Sequence, residues 1–241
     1  MTKVEAIKRV MEDNGGTISL SELYKRITKY YPNATQAKDW TAGLRGVLYR
    51  EIRNNRTFKK IGLSIYALMD YIVEEKPRSD DIVRMHSYIE GICIEIGNFL
   101  GYATYTADPS AIYRDNVKLN HLATVAKCPD FSYPEIIKKA KLIDVIWFNQ
   151  KGLYFPKIIF EIVDSIGTLE TALNRSLQLK DFKTEFKIVS PEKHKSKYEQ
   201  IMKLEVYNQY SNLFRFVNYD DIQCFYNNLS EGRKLENKVF L

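Results

Sequence analysis

Two carboxylates that interrupt apolar segments are the strongest chemical signal in the sequence. Asp144 lies in Leu-Ile-Asp-Val-Ile-Trp-Phe at 142–148, and Glu161 lies in Lys-Ile-Ile-Phe-Glu-Ile-Val at 157–163. Both segments are predicted to be strands, joined by a connection short enough for a hairpin. A carboxylate in a buried strand is costly unless it is paired or binds a metal. Two of them on adjacent strands therefore predict a divalent cation such as Mg²⁺, which takes carboxylate, water and phosphate oxygens as ligands.

The elements that must position these two acids follow from hydrophobic spacing. A long helix is predicted over 81–100, followed by a strand over 102–106 and a less regular, proline-interrupted segment over 107–140. After the two acid-bearing strands, the pattern predicts a helix over 167–182, a strand over 186–190, a helix over 192–209, a strand over 213–217 and a short helix from 219.

The first third of the chain is predicted to be a separate, basic unit. Residues 1–70 hold 13 Lys and Arg against 7 Asp and Glu, so they carry the whole net charge of +6 of the 241 residues. Helices are predicted over 3–13, after Ser19 or Ser21, and over 37–53. Two short strands around a glycine turn follow over 58–68. Three helices and a hairpin are the order of a winged helix-turn-helix.

The motifs of this basic unit resemble the HARE-HTH family of winged helices. The resemblance rests on Leu-Tyr-Arg-Glu-Ile-Arg at 48–53, Phe-Lys-Lys-Ile-Gly at 58–62 and Ser-Ile-Tyr-Ala-Leu at 64–68. It implies DNA binding, with the third helix in a groove and the wing along the backbone. The alternative is an ordinary solvated face. The residues predicted to contact DNA are Lys38, Arg45, Arg50, Arg53, Arg56, Lys59 and Lys60.

The rest of the chain resembles the restriction-endonuclease-like proteins of the PD-(D/E)XK superfamily. The resemblance covers about 84–228 and rests on the helix–strand–strand–strand–helix–strand order and on the motifs around Asp144 and Glu161. It implies that these two acids bind Mg²⁺, with Mn²⁺ as a substitute, together with the backbone carbonyl of Ile162. Glu90 matches the acid that the leading helix often contributes, and its alternative is a solvent-facing helix residue. His86 is interpreted as a surface or packing residue.

One position departs from the pattern of that superfamily. Two residues after Glu161, where Lys is usual, the chain has Val163, which can neither activate water nor stabilise charge. A bulge that turns Asp164 inward is one explanation, and an inactive site is another. A third is a polar side chain from the next helix, with Gln178 taken as the candidate catalytic residue among Arg175, Gln178 and Lys180.

The predicted fold is therefore α/β, a mixed sheet flanked by helices, with a smaller N-terminal winged helix-turn-helix. The predicted domains are 1–72 for DNA binding, a linker over 73–80, and 81–241 for the nuclease-like part. The resemblance predicts a Mg²⁺-dependent, type II restriction endonuclease that acts on double-stranded DNA. The alternative is a catalytically inactive DNA-binding protein or regulator with the same fold, and a homodimer is expected from the resemblance alone.

Composition excludes several other classes. No apolar run approaches the roughly 20 residues needed to span a bilayer, so no membrane partner is predicted. The first ten residues alternate charged and apolar types, unlike a signal peptide. The three cysteines are far apart and match neither a disulfide framework nor a zinc motif. A soluble, cytoplasmic protein is expected.

Overall fold

The computed structural model describes residues 1–74, 76–77 and 82–240. Residues 75 and 78–80 of the predicted linker lie outside the described residues, as do the predicted helix start at 81 and the last residue.

The N-terminal unit contains three helices and a three-stranded antiparallel sheet in the order β1–β3–β2. The helices form at the three predicted places, and the predicted hairpin is present as β2 and β3. The short strand β1, which pairs with β3, was not predicted, because three residues are too few for a periodic signal. In chain order the elements are α1 (Lys3–Asp13), β1 (Thr17–Ser19), α2 (Leu20–Arg26), α3 (Trp40–Arg53), β2 (Phe58–Lys60) and β3 (Ile65–Leu68).

The larger part of the chain is built around a five-stranded mixed sheet in the order β10–β9–β8–β7–β4. The first three strands along the chain pair antiparallel, and the last two add in parallel. These strands are β4 (Ala103–Thr106), β7 (Val145–Phe148), β8 (Pro156–Ile162), β9 (Glu185–Ser190) and β10 (Phe214–Asn218). A two-stranded hairpin is formed by β5 (Ile112–Arg114) and β6 (Val117–Lys118).

Helices cover both faces of the five-stranded sheet, as the sequence predicted. On one face lie α4 (Ile82–Phe99) and α10 (Tyr219–Phe240). The other face is covered by α6 (Pro134–Ala140), α7 (Leu169–Leu177) and α8 (Lys195–Met202). Two shorter helices, α5 (Leu119–Leu122) and α9 (Glu205–Asn208), complete the set in the described ranges.

Several predicted boundaries were wrong. The last helix is long, with 22 residues, because Ile222, Tyr226 and Leu229 continue its apolar stripe against the sheet. The helix predicted over 192–209 is two helices, since Leu204 between them is extended. The helix predicted over 167–182 ends at Leu177. The strand predicted from 142 begins at Val145, which places Asp144 just before it.

Close packing fixes α4 against the sheet. The indole Nε1 of Trp147 on β7 donates to the carbonyl of Cys93 on α4 at 3.1 Å. This approach requires a glycine at 97, because a Cβ there would lie 2.6 Å from Trp147 Nε1. This contact fixes the position of α4 along β7, the strand that follows Asp144.

The N-terminal unit is joined to the larger part through a buried carboxylate on α4. Glu95 Oε1 accepts from the backbone N–H and the hydroxyl of Ser64, at 2.6 and 2.8 Å. Its Oε2 accepts from the hydroxyl of Tyr226 on α10 at 2.5 Å. One side chain thus connects the β2–β3 turn with both helices of one sheet face. Within the described residues, every helix is too short or too polar to span a bilayer.

Candidate functional site

The two acids singled out from the sequence lie side by side. Because Val145 pairs with Phe160, Asp144 stands next to Glu161 across the β7–β8 ladder. Asp144 Oδ2 accepts from the backbone N–H of Ile162 at 2.7 Å, which ties its carboxylate to β8. The Asp144 side chain is 15% exposed, whereas that of Glu161 is 1% exposed. The more accessible acid is therefore Asp144.

Glu161 is engaged by an arginine from the next helix. Arg175 on α7 donates from Nε to Glu161 Oε1 at 2.7 Å and from Nη2 to Oε2. Its Nη2 also lies 3.8 Å from Asp144 Oδ1. A two-pronged guanidinium–carboxylate pair is strong and fixed in direction. Arg175 thus places a positive charge between the two acids, a position that the sequence left open among three residues of this helix.

A histidine on α4 contacts Asp144 and a third acid, Asp164. His86 Nε2 lies 3.9 Å from Asp144 Oδ2, and His86 Nδ1 lies 2.5 Å from Asp164 Oδ2. The other oxygen of Asp164 accepts from the hydroxyl of Tyr219 at 2.5 Å. Asp164 lies two residues after the end of β8, and its side chain is turned toward the site, where it contacts the imidazole. His86, interpreted from the sequence as a surface or packing residue, is partly exposed and contacts both Asp144 and Asp164.

Glu90, one turn after His86 on α4, is buried rather than solvent-facing. The residue is 1% exposed, and its Oε2 has no hydrogen-bond partner within the part of the chain that the structure describes. Single donor atoms of His86, Glu90 and Asp144 all lie within 4.8 Å of one another. An unpartnered buried carboxylate oxygen is expensive unless something else compensates it. A cation bound at this cluster would compensate the unpartnered oxygen and the negative charge of the acids.

The electrostatics of the site follow from burial and crowding of acids. Burial raises the pKa of Glu90 well above its usual range, and the charges of Asp144, Asp108 and Asp164 add to the rise. Burial likewise raises the pKa of Glu161 to about 8, against the opposing hydrogen bond from Arg175. Burial disfavours the charged form of His86, but the bond to Asp164 and the nearby acids outweigh it and raise its pKa to about 9. The site therefore favours added positive charge.

A cleft opens onto this cluster. It encloses about 650 Å³, and its wall includes His86, Glu90 and Asp164 together with Arg84 and Asp108. A cleft with acids at its base can admit a hydrated cation and a phosphate group bound to it.

The remaining predicted site residues lie elsewhere or face away. Gln178 is exposed at the end of α7, and its amide donates to the carbonyl of Asn174 at 3.2 Å. No hydrogen bond joins Gln178 to the acids among the contacts of the described chain. Val163, at the position of the usual Lys, is buried with the apolar residues on the α6–α7 face. Ile162 contributes its N–H to Asp144, as described above.

Of the basic residues predicted to contact DNA, Lys38 lies just before α3, and the others lie on α3, after it or on β2. Lys59 donates to the carbonyl of Tyr71 and is half-buried, as is Lys60. Arg50 lies 3.9 Å from Glu51. The residues whose side chains are exposed are Lys38, Arg45, Arg50, Arg53 and Arg56.

Sequence reasoning missed the contacts that His86 and Tyr219 make with these acids. The signal for His86 was present: it lies four residues before Glu90, so the two share a helix face. Tyr219 carries no such signal, since it reaches Asp164 only after the chain has crossed β9 and β10.

A mixed sheet flanked by helices, with acids gathered beside its central strands, is compatible with a restriction-endonuclease-like protein. Residues 70–240 match the family model of the type II restriction enzyme NmeDI C-terminal domain. The chain belongs to that family. No curated protein and no solved structure was found to match it.

Proposed function

We propose that this protein is a metal-dependent DNA endonuclease of the type II restriction class. The observation that carries the proposal is the cluster of His86, Glu90 and Asp144 beside the central strands, in a chain of a restriction enzyme family. The strand order β4–β7–β8 followed by parallel β9 supports the PD-(D/E)XK interpretation. Double-stranded DNA is the substrate that this class implies.

The residues present fit a divalent cation, Mg²⁺ or Mn²⁺. Glu90 Oε2 is buried and lacks a hydrogen-bond partner in the described structure. A cation bound to this oxygen would satisfy it. Asp144 offers its Oδ2, which lies 3.9 Å from His86 Nε2 and keeps a second lone pair besides the one that accepts from Ile162. When bound, the metal lowers the pKa of a coordinated water and neutralises charge that develops on the phosphate. The carbonyl of Ile162 stays a proposed further ligand.

The chain's own residues position the phosphate and its charge. Arg175 Nη2 stands 3.8 Å from Asp144 Oδ1, on α7, the helix against which Val163 is buried. A guanidinium in this place can donate to a non-bridging phosphate oxygen and stabilise the charge of the transition state. We therefore assign to Arg175, rather than to Gln178, the part that Val163 cannot play. In the reaction water adds to phosphorus, and one P–O bond of the backbone breaks.

We propose that the N-terminal unit is a winged helix that binds the DNA duplex. Its three helices and hairpin have the required order, and Arg45 and Arg50 are exposed on α3. Such residues mostly contact phosphates, so they supply affinity more than sequence choice. The contact of Glu95 with Ser64 ties this unit to α4, the helix that carries Glu90.

A DNA-binding protein without catalysis is the second candidate. The observation that favours it is the closed pair of Glu161 and Arg175, which occupies an acid that the superfamily uses for metal. In this case DNA is bound tightly and left intact.

Incubation of the full chain with mixed genomic and phage DNA, with Mg²⁺ or Mn²⁺, separates these two candidates. If the protein is an endonuclease, we expect discrete DNA fragments with the parent protein and none with the Asp144→Asn variant. Asp181→Asn is the matched control, because Asp181 is exposed and pairs only with its neighbour Lys180 among the described contacts. Tight binding with no fragments from methylated or unmethylated DNA would exclude the endonuclease.

A further inference from the structure

We propose that the cation is bound by a nitrogen-containing set, His86 Nε2 with Glu90 and Asp144, and that Glu161 is not a ligand. This inference rests on the proposed function only for the expectation that a metal ion is bound. It changes the identity of the ligands, and with them the ion that the site prefers.

The orientation of His86 is that of a metal ligand. Its Nδ1 lies 2.5 Å from Asp164 Oδ2, so the carboxylate accepts the proton at Nδ1. Nε2 faces Asp144 Oδ2 at 3.9 Å, and it releases its own proton to solvent when a cation binds. A metal-binding histidine commonly donates its other ring N–H to a carboxylate, which fixes the tautomer and the ring plane. Here the carboxylate is itself held by the hydroxyl of Tyr219 at 2.5 Å.

Glu90 supplies an oxygen that nothing else in the described structure uses. The residue is 1% exposed on α4, and Oε2 is its unpartnered atom. His86 precedes it by four residues, so both side chains project from the same face of the helix toward Asp144. The three donor atoms lie within 4.8 Å of one another. A cation among them satisfies the orphaned oxygen and offsets the crowding of acids.

Glu161 is already compensated. Both of its oxygens accept from Arg175, and its side chain is 1% exposed. To become a ligand it would have to break this two-pronged pair in a buried environment, which leaves the guanidinium without its partner. The arrangement of lower free energy keeps the Glu161–Arg175 pair intact and places the cation on the His86 side of Asp144.

The ligand chemistry predicts the choice of ion. Imidazole suits transition metals, whereas Mg²⁺ prefers an all-oxygen shell. One nitrogen and two carboxylates therefore favour Mn²⁺ over Mg²⁺, and we expect at least tenfold tighter binding of Mn²⁺.

The test is Mn²⁺ binding to the full chain, measured by electron paramagnetic resonance of the free ion. His86→Ala and His86→Asn should each weaken binding at least tenfold. Asp164→Asn should weaken it about tenfold as well, since partners that orient a ligand typically contribute 10–100-fold. Asp181→Asn, the exposed control, and Glu161→Gln should stay within threefold of the parent protein.

Pulsed measurements give a readout that a merely structural role would not produce. The bound Mn²⁺ should show coupling to a histidine nitrogen, and this coupling should disappear in both His86 variants. Wild-type affinity in the His86 variants, or loss of binding in Glu161→Gln alone, would overturn the inference, as would a parent protein that binds no Mn²⁺.

The inference and the proposed function fail separately. If DNA is cut but the bound ion shows no nitrogen coupling, the ligand set is wrong and the endonuclease stands. If the coupling is present but DNA is not cut with any ion, the metal site stands and the endonuclease falls.

Discussion

Replacement of Glu90 by glutamine should stabilise the metal-free protein. Glu90 is 1% exposed and has one oxygen without a partner in the described structure. Leaving such a group buried and unsatisfied costs about 1–3 kcal/mol, and more when the group is charged. Glutamine has nearly the same shape but no charge to bury. We therefore expect Glu90→Gln to raise the free energy of unfolding at pH 8 by about 1–3 kcal/mol.

The gain should depend on pH with a definite sign. Burial raises the pKa of Glu90 above its ordinary value of 4.5, so the folded protein holds this proton more strongly than the unfolded chain does. The free energy of unfolding of the parent protein then falls as pH rises above that value. The Glu90→Gln variant does not lose stability in this way, because glutamine does not titrate. Its advantage should be small near pH 5 and grow toward pH 8, by no more than about 1.4 kcal/mol per pH unit for one group.

Urea unfolding with EDTA present, followed by far-ultraviolet circular dichroism, measures this difference. Glu199→Gln is the matched control, because Glu199 is exposed on α8, and it should leave the free energy of unfolding within about 0.5 kcal/mol of the parent value. If Glu90→Gln is equal to or less stable than the parent protein at pH 8, or if its advantage shrinks with pH, Glu90 is not the uncompensated acid described above.

Three further predictions concern packing, the buried ion pair and DNA binding. Gly97→Ala should lower the free energy of unfolding in urea, because its Cβ would lie 2.6 Å from Trp147 Nε1. A Cβ at Gly46 would have nothing within 4 Å, so Gly46→Ala should raise the free energy of unfolding by about 0.5–1 kcal/mol. Equal effects of the two substitutions would contradict the close packing of Gly97 against Trp147. Arg175→Met should destabilise by about 3–5 kcal/mol in thermal unfolding, with most of this recovered when Glu161→Gln is added. Joint replacement of Arg45 and Arg50 by glutamine should weaken DNA binding and reduce the salt slope by about 1–2, and an unchanged slope would exclude them as phosphate contacts.

Much of the fold was predictable because its helices and strands carry strong periodicity. The long helix α4 and the strands around Asp144 and Glu161 were found from apolar spacing alone, and the flanking of the sheet by helices followed from their order. Short elements such as β1 carry too few residues to show a period. The ends of α7 and α10 depended on tertiary packing, which local pattern does not contain.

The candidate site was predictable where chemistry stands out against an apolar background. Asp144 and Glu161 did so, and Glu90 was found by resemblance. His86 and Arg175 belong to ordinary amphipathic helices, in which a single polar residue is unremarkable until the fold brings it to the acids. Tyr219 meets Asp164 across 55 positions of sequence, a contact that no local pattern encodes.

The most direct test of metal-dependent DNA cutting by this protein is the ion dependence of cutting by one preparation of the full chain. The protein is assayed as purified, after exhaustive treatment with EDTA, and after the addition of Mn²⁺ or Mg²⁺ to the treated sample. We predict discrete fragments that vanish after EDTA and return with the ion, at a lower concentration of Mn²⁺ than of Mg²⁺. Cutting that persists after EDTA, or its absence under every condition, would contradict it.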